Sequence, residues 1–161
     1  MRTMKPWQVK VVAAMLVPVF AMPVALYHYY QYRQLRELRA SVTDAGAVTD
    51  VIFTGAKPGL LSVACGTAVF RLAPAPAAAG EGAARYPASA GWIPTPYVPA
   101  AGALTYQDLW LHGLRCAGMD EVLAGQIDTA LKTPGSYVKR RDVDALIVVP
   151  HLNMVALVYY D

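Results

Sequence analysis

The chain has 161 residues, enough for one ordinary domain with some left over, and 56% of them are apolar against 16% charged. Soluble proteins average about 25% charged residues, so this balance excludes a disordered tail and a highly charged nucleic-acid arm. The net charge of +3 is unevenly placed. Residues 1–40 hold six basic side chains (Arg2, Lys5, Lys10, Arg33, Arg36 and Arg39) against Glu37, and the remainder is slightly acidic. The basic residues therefore flank an apolar segment instead of forming a patch on a folded surface.

That segment, Val11 to Tyr27, runs seventeen residues without a charge. It lies at the short end of the ~17–25 residues that a membrane-spanning helix needs. Trp7 stands before it, and Tyr27, Tyr29, Tyr30 and Tyr32 follow it. Rings with an apolar body and a polar tip suit a membrane–water interface, so Trp7, Tyr27, Tyr29 and Tyr30 are its candidate anchors. Pro18 and Pro23 are tolerated better in a span than in a soluble helix. A cleaved signal peptide, with Val19-Phe20-Ala21 as its small-residue site, and a buried core helix are the alternatives. The leading expectation is a cytoplasmic tail over 1–10, a transmembrane helix over 11–28 and an exported remainder. This describes a single-pass protein of a bacterial inner membrane with a periplasmic C-terminal domain.

Leu35, Leu38, Val42, Ala45, Thr49 and Ile52 recur at steps of three and four, which predicts a helical stalk over 29–56. Leu35, Leu38 and Val42 are its candidate partner-binding residues, packing on the chain's own domain or on a neighbour. Gly46 and the β-branched Val48, Thr49 and Val51 weaken the lower half of the seam. Lys57-Pro58-Gly59 then breaks the chain and opens an exported α+β domain over 57–161.

Leu60–Leu72 reads as a strand or a pair of strands around Gly66. Residues 73–103 carry six prolines and repeated Ala and Gly, without periodicity, and predict a long surface loop. Trp92 and Tyr97 within it either pin the loop to its own domain or dock it on a partner. Leu104–Leu114 is ambiguous, with strand favoured by Tyr106, Leu109, Trp110 and Leu111. Met119, Val122, Leu123, Ile127, Ala130 and Leu131 make one face of a helix, with Asp120 and Glu121 at its start and Lys132 at its end. Val143–Val149 and Met154–Tyr160, joined by Pro150-His151-Leu152-Asn153, predict a β-hairpin. The predicted fold is α+β: a transmembrane helix continuing into a stalk, then a small antiparallel sheet with one packed helix.

Cys65 and Cys116 are an even pair in a domain expected to be exported, most simply a disulfide; free buried thiols and a metal site are the alternatives. His112 and Cys116 are four apart on a helix, but a closed zinc site wants four ligands and no two-residue Cys spacing occurs. There is no Cys-x-x-Cys-His for covalent haem, no Gly-x-Ser-x-Gly elbow, no phosphate-cradling loop and no His-Glu-x-x-His. Neither cofactor, metal nor catalytic residues are expected. Lys139-Arg140-Arg141 reads as an edge-strand guard or a salt-bridge site, offset by Asp142 and Asp144, with no nucleic-acid partner expected.

Pro23, Tyr27, Tyr30, Arg33 and Glu37, following an apolar helix and leading to a small sheet, make the chain resemble type IV pilins and pseudopilins. Cys116 to Val138, with Leu123, Ile127-Asp128 and Gly135, resembles the later helix and turn of minor pilins. The chain departs from that family in having no Gly-ended leader and no Glu within the apolar run. Its plan is also similar to the bitopic subunits of pilus and type II secretion assembly platforms. The resemblance implies a non-enzymatic structural or assembly subunit of an envelope machine. Its partners would be the lipid bilayer and other membrane-complex subunits or further copies of itself. An accessory subunit of a membrane redox complex is the alternative.

Overall fold

The computed structural model describes residues 6–58, 63–74, 84–96, 106–142 and 144–160; within these, the side chains of 6–20, 57, 58, 63, 64, 106, 107, 115 and 160 are not described. Three helices and six strands occur among them: α1 (Pro6–Ser41), β1 (Val48–Pro58), β2 (Val63–Leu72), β3 (Ile93–Pro94), α2 (Tyr106–Ala117), α3 (Glu121–Lys132), β4 (Tyr137–Arg140), β5 (Asp144–Val149) and β6 (Met154–Tyr160). The contacts divide the chain into a unit ending at Leu38 and a second unit from Arg39 onward.

The first unit is helical throughout its described length. Helix α1, of 36 residues, passes through Pro18 and Pro23, each of which removes one backbone donor from the helical ladder. The expected transmembrane helix over 11–28 is corrected here. Among the described residues no helix is long and apolar enough to cross a membrane. From Ala21, where the side chains are described, α1 turns within two turns to Tyr27–Tyr32, and then to Arg33, Arg36, Glu37 and Arg39. The described apolar side chains before those rings, Ala21 to Leu26, are too few to fill a hydrocarbon core. Arg33 donates to Glu37 one turn on (2.9 Å), an exposed pair. It is worth a few tenths of a kcal/mol.

The stalk predicted over 29–56 ends early. The helix stops at Ser41, a short 3-10 turn covers Thr43–Ala45, and β1 starts at Val48. Gly46, at φ 126°, turns the chain in a region closed to L side chains. Beyond it the β-branched Val48, Thr49, Val51 and Ile52 prefer an extended backbone, and this outweighs the helical spacing.

The second unit is built on one six-stranded sheet in the order β1-β2-β6-β5-β4-β3, antiparallel at every pairing. The predicted hairpin is its centre: β5 and β6 pair from Val149↔Met154 to Asp144↔Tyr159 around a turn that begins at Pro150 and closes on left-handed Asn153. Cross-strand partners share a face, so the row Val69↔Ala156↔Ile147↔Val138 lies on one side. Those residues join Leu109, Trp110, Ile127, Ala130 and Leu131 in the main core beneath α2 and α3. The opposite row, Phe70↔Val155↔Val148↔Tyr137, belongs to the other face. Both faces are buried, and for that reason β5 and β6 read as nearly continuous apolar runs.

The sequence favoured a strand over 104–114, whereas Tyr106–Ala117 forms α2. Leu109, Trp110 and Gly113 are buried while Asp108, Leu111 and His112 are exposed, the one-sided pattern of a helix lying on a sheet. Helix α3 matches its prediction. The Asp120 carboxylate accepts from the Val122 and Leu123 amides (3.1 and 3.2 Å), and Lys132 pairs with Asp128 (2.6 Å). Gly118, at φ 64°, makes the sharp reversal between α2 and α3. The domain therefore packs two helices on its sheet, not one.

Edge strands limit further pairing in two ways. β1 carries three register irregularities and ends in Lys57-Pro58, and β3 is two residues long and ends in Pro94. Behind β3, the Thr95 hydroxyl donates to the Thr133 carbonyl (2.6 Å) and accepts from the Ser136 amide (3.1 Å), tying the strand to the turn after α3.

Candidate functional site

The geometry of greatest chemical interest lies where the end of α2 meets β1 and β2. Helix α2 approaches the sheet too closely for intervening side chains. A Cβ on Gly113 would collide with Val158 and come within 3.0 Å of the Thr67 hydroxyl; one on Gly55 would collide with the Ala117 carbonyl. Only glycine fits at these contacts. The approach carries the last turn of α2 over β2 and places Cys116 against Cys65, which lies opposite Lys57 and Tyr160 in the sheet. The two cysteines form a disulfide with a Cα–Cα distance of 5.8 Å, bridging 51 residues of sequence. That separation falls within the usual range for a disulfide. The bond anchors the strand before the Pro-rich stretch to the helix after it, as the sequence anticipated.

His112 joins this pair. It lies one turn before Cys116 on α2, and its ring nitrogen and both sulfurs lie within 4.8 Å of one another. Cys65 is buried, Cys116 half-buried and His112 exposed, so the group opens to solvent on the histidine side. The i, i+4 spacing of His112 and Cys116 was visible in the sequence. The third member, Cys65, comes from a strand 47 and 51 positions away; the expected disulfide brings it to Cys116, and the fold sets it near His112.

A second cluster lies on the opposite face of the sheet. Tyr86 stacks edge-on against Trp92 (5.1 Å between ring centroids) and at a tilt against Tyr137 (4.9 Å). The Tyr86 hydroxyl donates to the Ala45 carbonyl (3.1 Å), and burial raises its pKa above the ordinary 10.0. Lys139 lies 5.7 Å from the Trp92 ring centroid and 2.8 Å from the Asp44 carboxylate. That hydrogen bond holds the Asp44 carboxyl below its ordinary range, against the opposing effect of burial. Arg141 grips Asp144 with two hydrogen bonds and donates to the Ser41 carbonyl (2.8 Å). Within the basic run, Lys139 thus pairs with Asp44 and Arg141 with Asp144, and Arg141 also holds the Ser41 carbonyl at the end of α1.

The sequence-predicted partner residues fall into three groups. Trp92 (3% exposed) and Val42 (0%) are inside the domain and offer nothing to a partner. Trp92 is held by Tyr86 and Lys139 in the pinned-loop arrangement, and Val42 closes the end of α1 in the core. Leu35 and Leu38 are half-buried on α1. Tyr97 lies outside the described residues. Of the expected interface anchors, Tyr27, Tyr29 and Tyr30 are 61%, 59% and 62% exposed on α1. Trp7 is on α1 with its side chain outside the described set. Met22, Val24, Leu26 and Tyr32 are exposed as well, so this part of α1 carries an unusual density of bare apolar and aromatic surface. No protein-family model, curated protein or solved structure matches the chain.

Proposed function

We propose that the chain is a non-enzymatic structural or assembly subunit of a bacterial envelope machine of pilus or secretion type. The observation that carries this reading is the exposed stretch of α1 from Met22 to Tyr32, seven large apolar or aromatic side chains more than two-fifths exposed. Aromatic residues dominate the energetics of protein interfaces, and bare patches of this kind are uncommon on proteins that act alone. Arg33, Arg36 and Arg39 continue the same helix and add the residue type most suited to interface ion pairs. The partner surface therefore belongs to α1, with other subunits of the machine or further copies of this chain as its occupants.

The disulfide supports assignment to an oxidising, extracytoplasmic compartment, where such bonds persist. A helix followed by an antiparallel sheet and closed by a disulfide also accords with the pilin-like resemblance of residues 23–37 and 116–138.

Triple substitution of Tyr27, Tyr29 and Tyr30 by Ser tests the reading. These side chains contribute little to the domain's own core, so folding of the purified chain should be unchanged. In extracts of the native cell the wild-type chain should sediment in a high-mass complex, and the triple variant should shift to the free fraction. An unchanged sedimentation profile for the triple variant would refute the assignment.

A further inference from the structure

The geometry points to a metal site that exists only when the disulfide is open: with Cys65 and Cys116 reduced, the two thiolates and the His112 imidazole hold one zinc ion. Zinc favours thiolate sulfur and imidazole nitrogen, and a set of three protein donors leaves one tetrahedral position for water or another ligand. The donors are already gathered, with all three ligand atoms within 4.8 Å of one another.

Their scaffold is set independently of the bond. Cys65 is fixed by pairing on both sides, to β1 and to β6, while His112 and Cys116 are fixed one turn apart on α2. Gly113 and Gly55 keep that helix seated against the strands. With Zn–S distances of about 2.3 Å, tetrahedral geometry needs the sulfurs about 3.8 Å apart. Side-chain rotation across a Cα–Cα distance of 5.8 Å can supply this without moving either backbone. His112 faces solvent and gives the ion its way in.

Disulfide and metal are alternative states of the same residues. A dithiol or phosphine reductant delivers two electrons to the S–S bond, which takes up two protons to become two thiols while the reductant is oxidised. Zinc then displaces both thiol protons and binds the two thiolates and the neutral imidazole. The oxidised protein has no thiolates to offer and does not bind.

The test uses the full chain, reduced with a phosphine under anaerobic conditions and titrated with Co2+ and then Zn2+. The reduced protein should show one equivalent of tetrahedral cobalt with thiolate-to-cobalt charge-transfer bands, bleached by one equivalent of Zn2+. The oxidised protein should show neither. His112→Ala and the more conservative His112→Gln keep both cysteines, and their folding is verified by the melting temperature of the oxidised form. Each should weaken cobalt binding by at least ~10-fold, the lower bound for loss of an outer-shell partner and hence for loss of a ligand. Zn2+ should also raise the melting temperature of the reduced wild-type chain and not that of the oxidised chain. Absence of charge-transfer bands at equimolar Co2+, or equal affinity in wild type and both His112 variants, would overturn the proposal.

Discussion

Opening the Cys65–Cys116 bond should be the most costly single covalent change to the domain. The bond bridges 51 residues, including the whole Pro-rich stretch, so the reduced unfolded chain regains the entropy of a long loop. In the chain-entropy treatment a loop of that size corresponds to about 4 kcal/mol. The site adds little to oppose this. Cys65 is only 6% exposed, and two serines in place of the cysteines fill nearly the same space. A domain stability of about 5–15 kcal/mol would be cut substantially. The assay is urea denaturation of the oxidised wild type against the Cys65→Ser/Cys116→Ser double variant, followed by tryptophan fluorescence, with Trp110 fully buried as reporter. The midpoint should fall by the equivalent of about 3–4 kcal/mol, and the melting temperature by about 10–15 °C for a domain of this size. A loss below about 1 kcal/mol with unchanged m-value would refute the reasoning.

Other perturbations probe different parts of the structure. Gly113→Ala drives a methyl group into Val158 and toward Thr67, and should cost about 2–3 kcal/mol in denaturant unfolding by lifting α2 off the sheet. Thr67→Val should do the reverse, because the buried Thr67 hydroxyl has no partner among the described residues; a gain of about 1 kcal/mol in the same assay is expected. Asp120→Ala removes the carboxylate that caps α3 and should cost about 1 kcal/mol, measured as a lowered melting temperature. In a pH series of thermal melts, Asp44, whose carboxyl is held below its ordinary 3.8 by Lys139, should contribute stability that is present above that value and lost as pH falls through the lower folded value, a loss that Asp44→Asn abolishes. Tyr86 and Tyr159 are raised by burial above their ordinary 10.0, so their contribution is whole below pH 10.0 and fades as pH rises toward the folded values.

Much of the second unit was legible in the residues, and the failures have physical causes. Helix α3 announces itself by a 3.6-residue apolar period, acidic residues at its start and Lys132 at its end. The β5–β6 hairpin is legible because two β-rich runs flank Pro150–Asn153. Helix α2 reads as a strand because Leu109, Trp110 and Leu111 are good strand formers, and only packing against β1, β2 and β6 shows that 109, 110 and 113 form one face. The predicted stalk overshoots because the spacing from Leu35 to Ile52 is helical, while the backbone obeys Gly46 and the β-branched residues after it. Strands β3 and β4 are not legible because each is short, and β3 has a distant partner as well: Ile93 pairs with Val138 across 45 residues. The same limit applies to the site. The disulfide follows from counting cysteines, and with the His112–Cys116 spacing it names all three donors; that they gather within 4.8 Å is seen only in the α2–β2 contact. The apolar run of α1 led to a membrane span that the described residues do not bear out. The tyrosines beyond it are exposed on α1, and the proposed function rests on them.

The central claim is that α1 is the element through which the chain assembles. A photo-crosslinking residue at Tyr29, 59% exposed on α1, tests it against the same residue at Gly125, exposed on α3 with open space around it. In native cells the account predicts a discrete adduct from position 29, joining the chain to a second copy or to a subunit of a pilus or secretion assembly, and none from position 125. No adduct from position 29, equal adducts from both positions, or capture of haem- or flavin-bearing subunits at position 29 would contradict it.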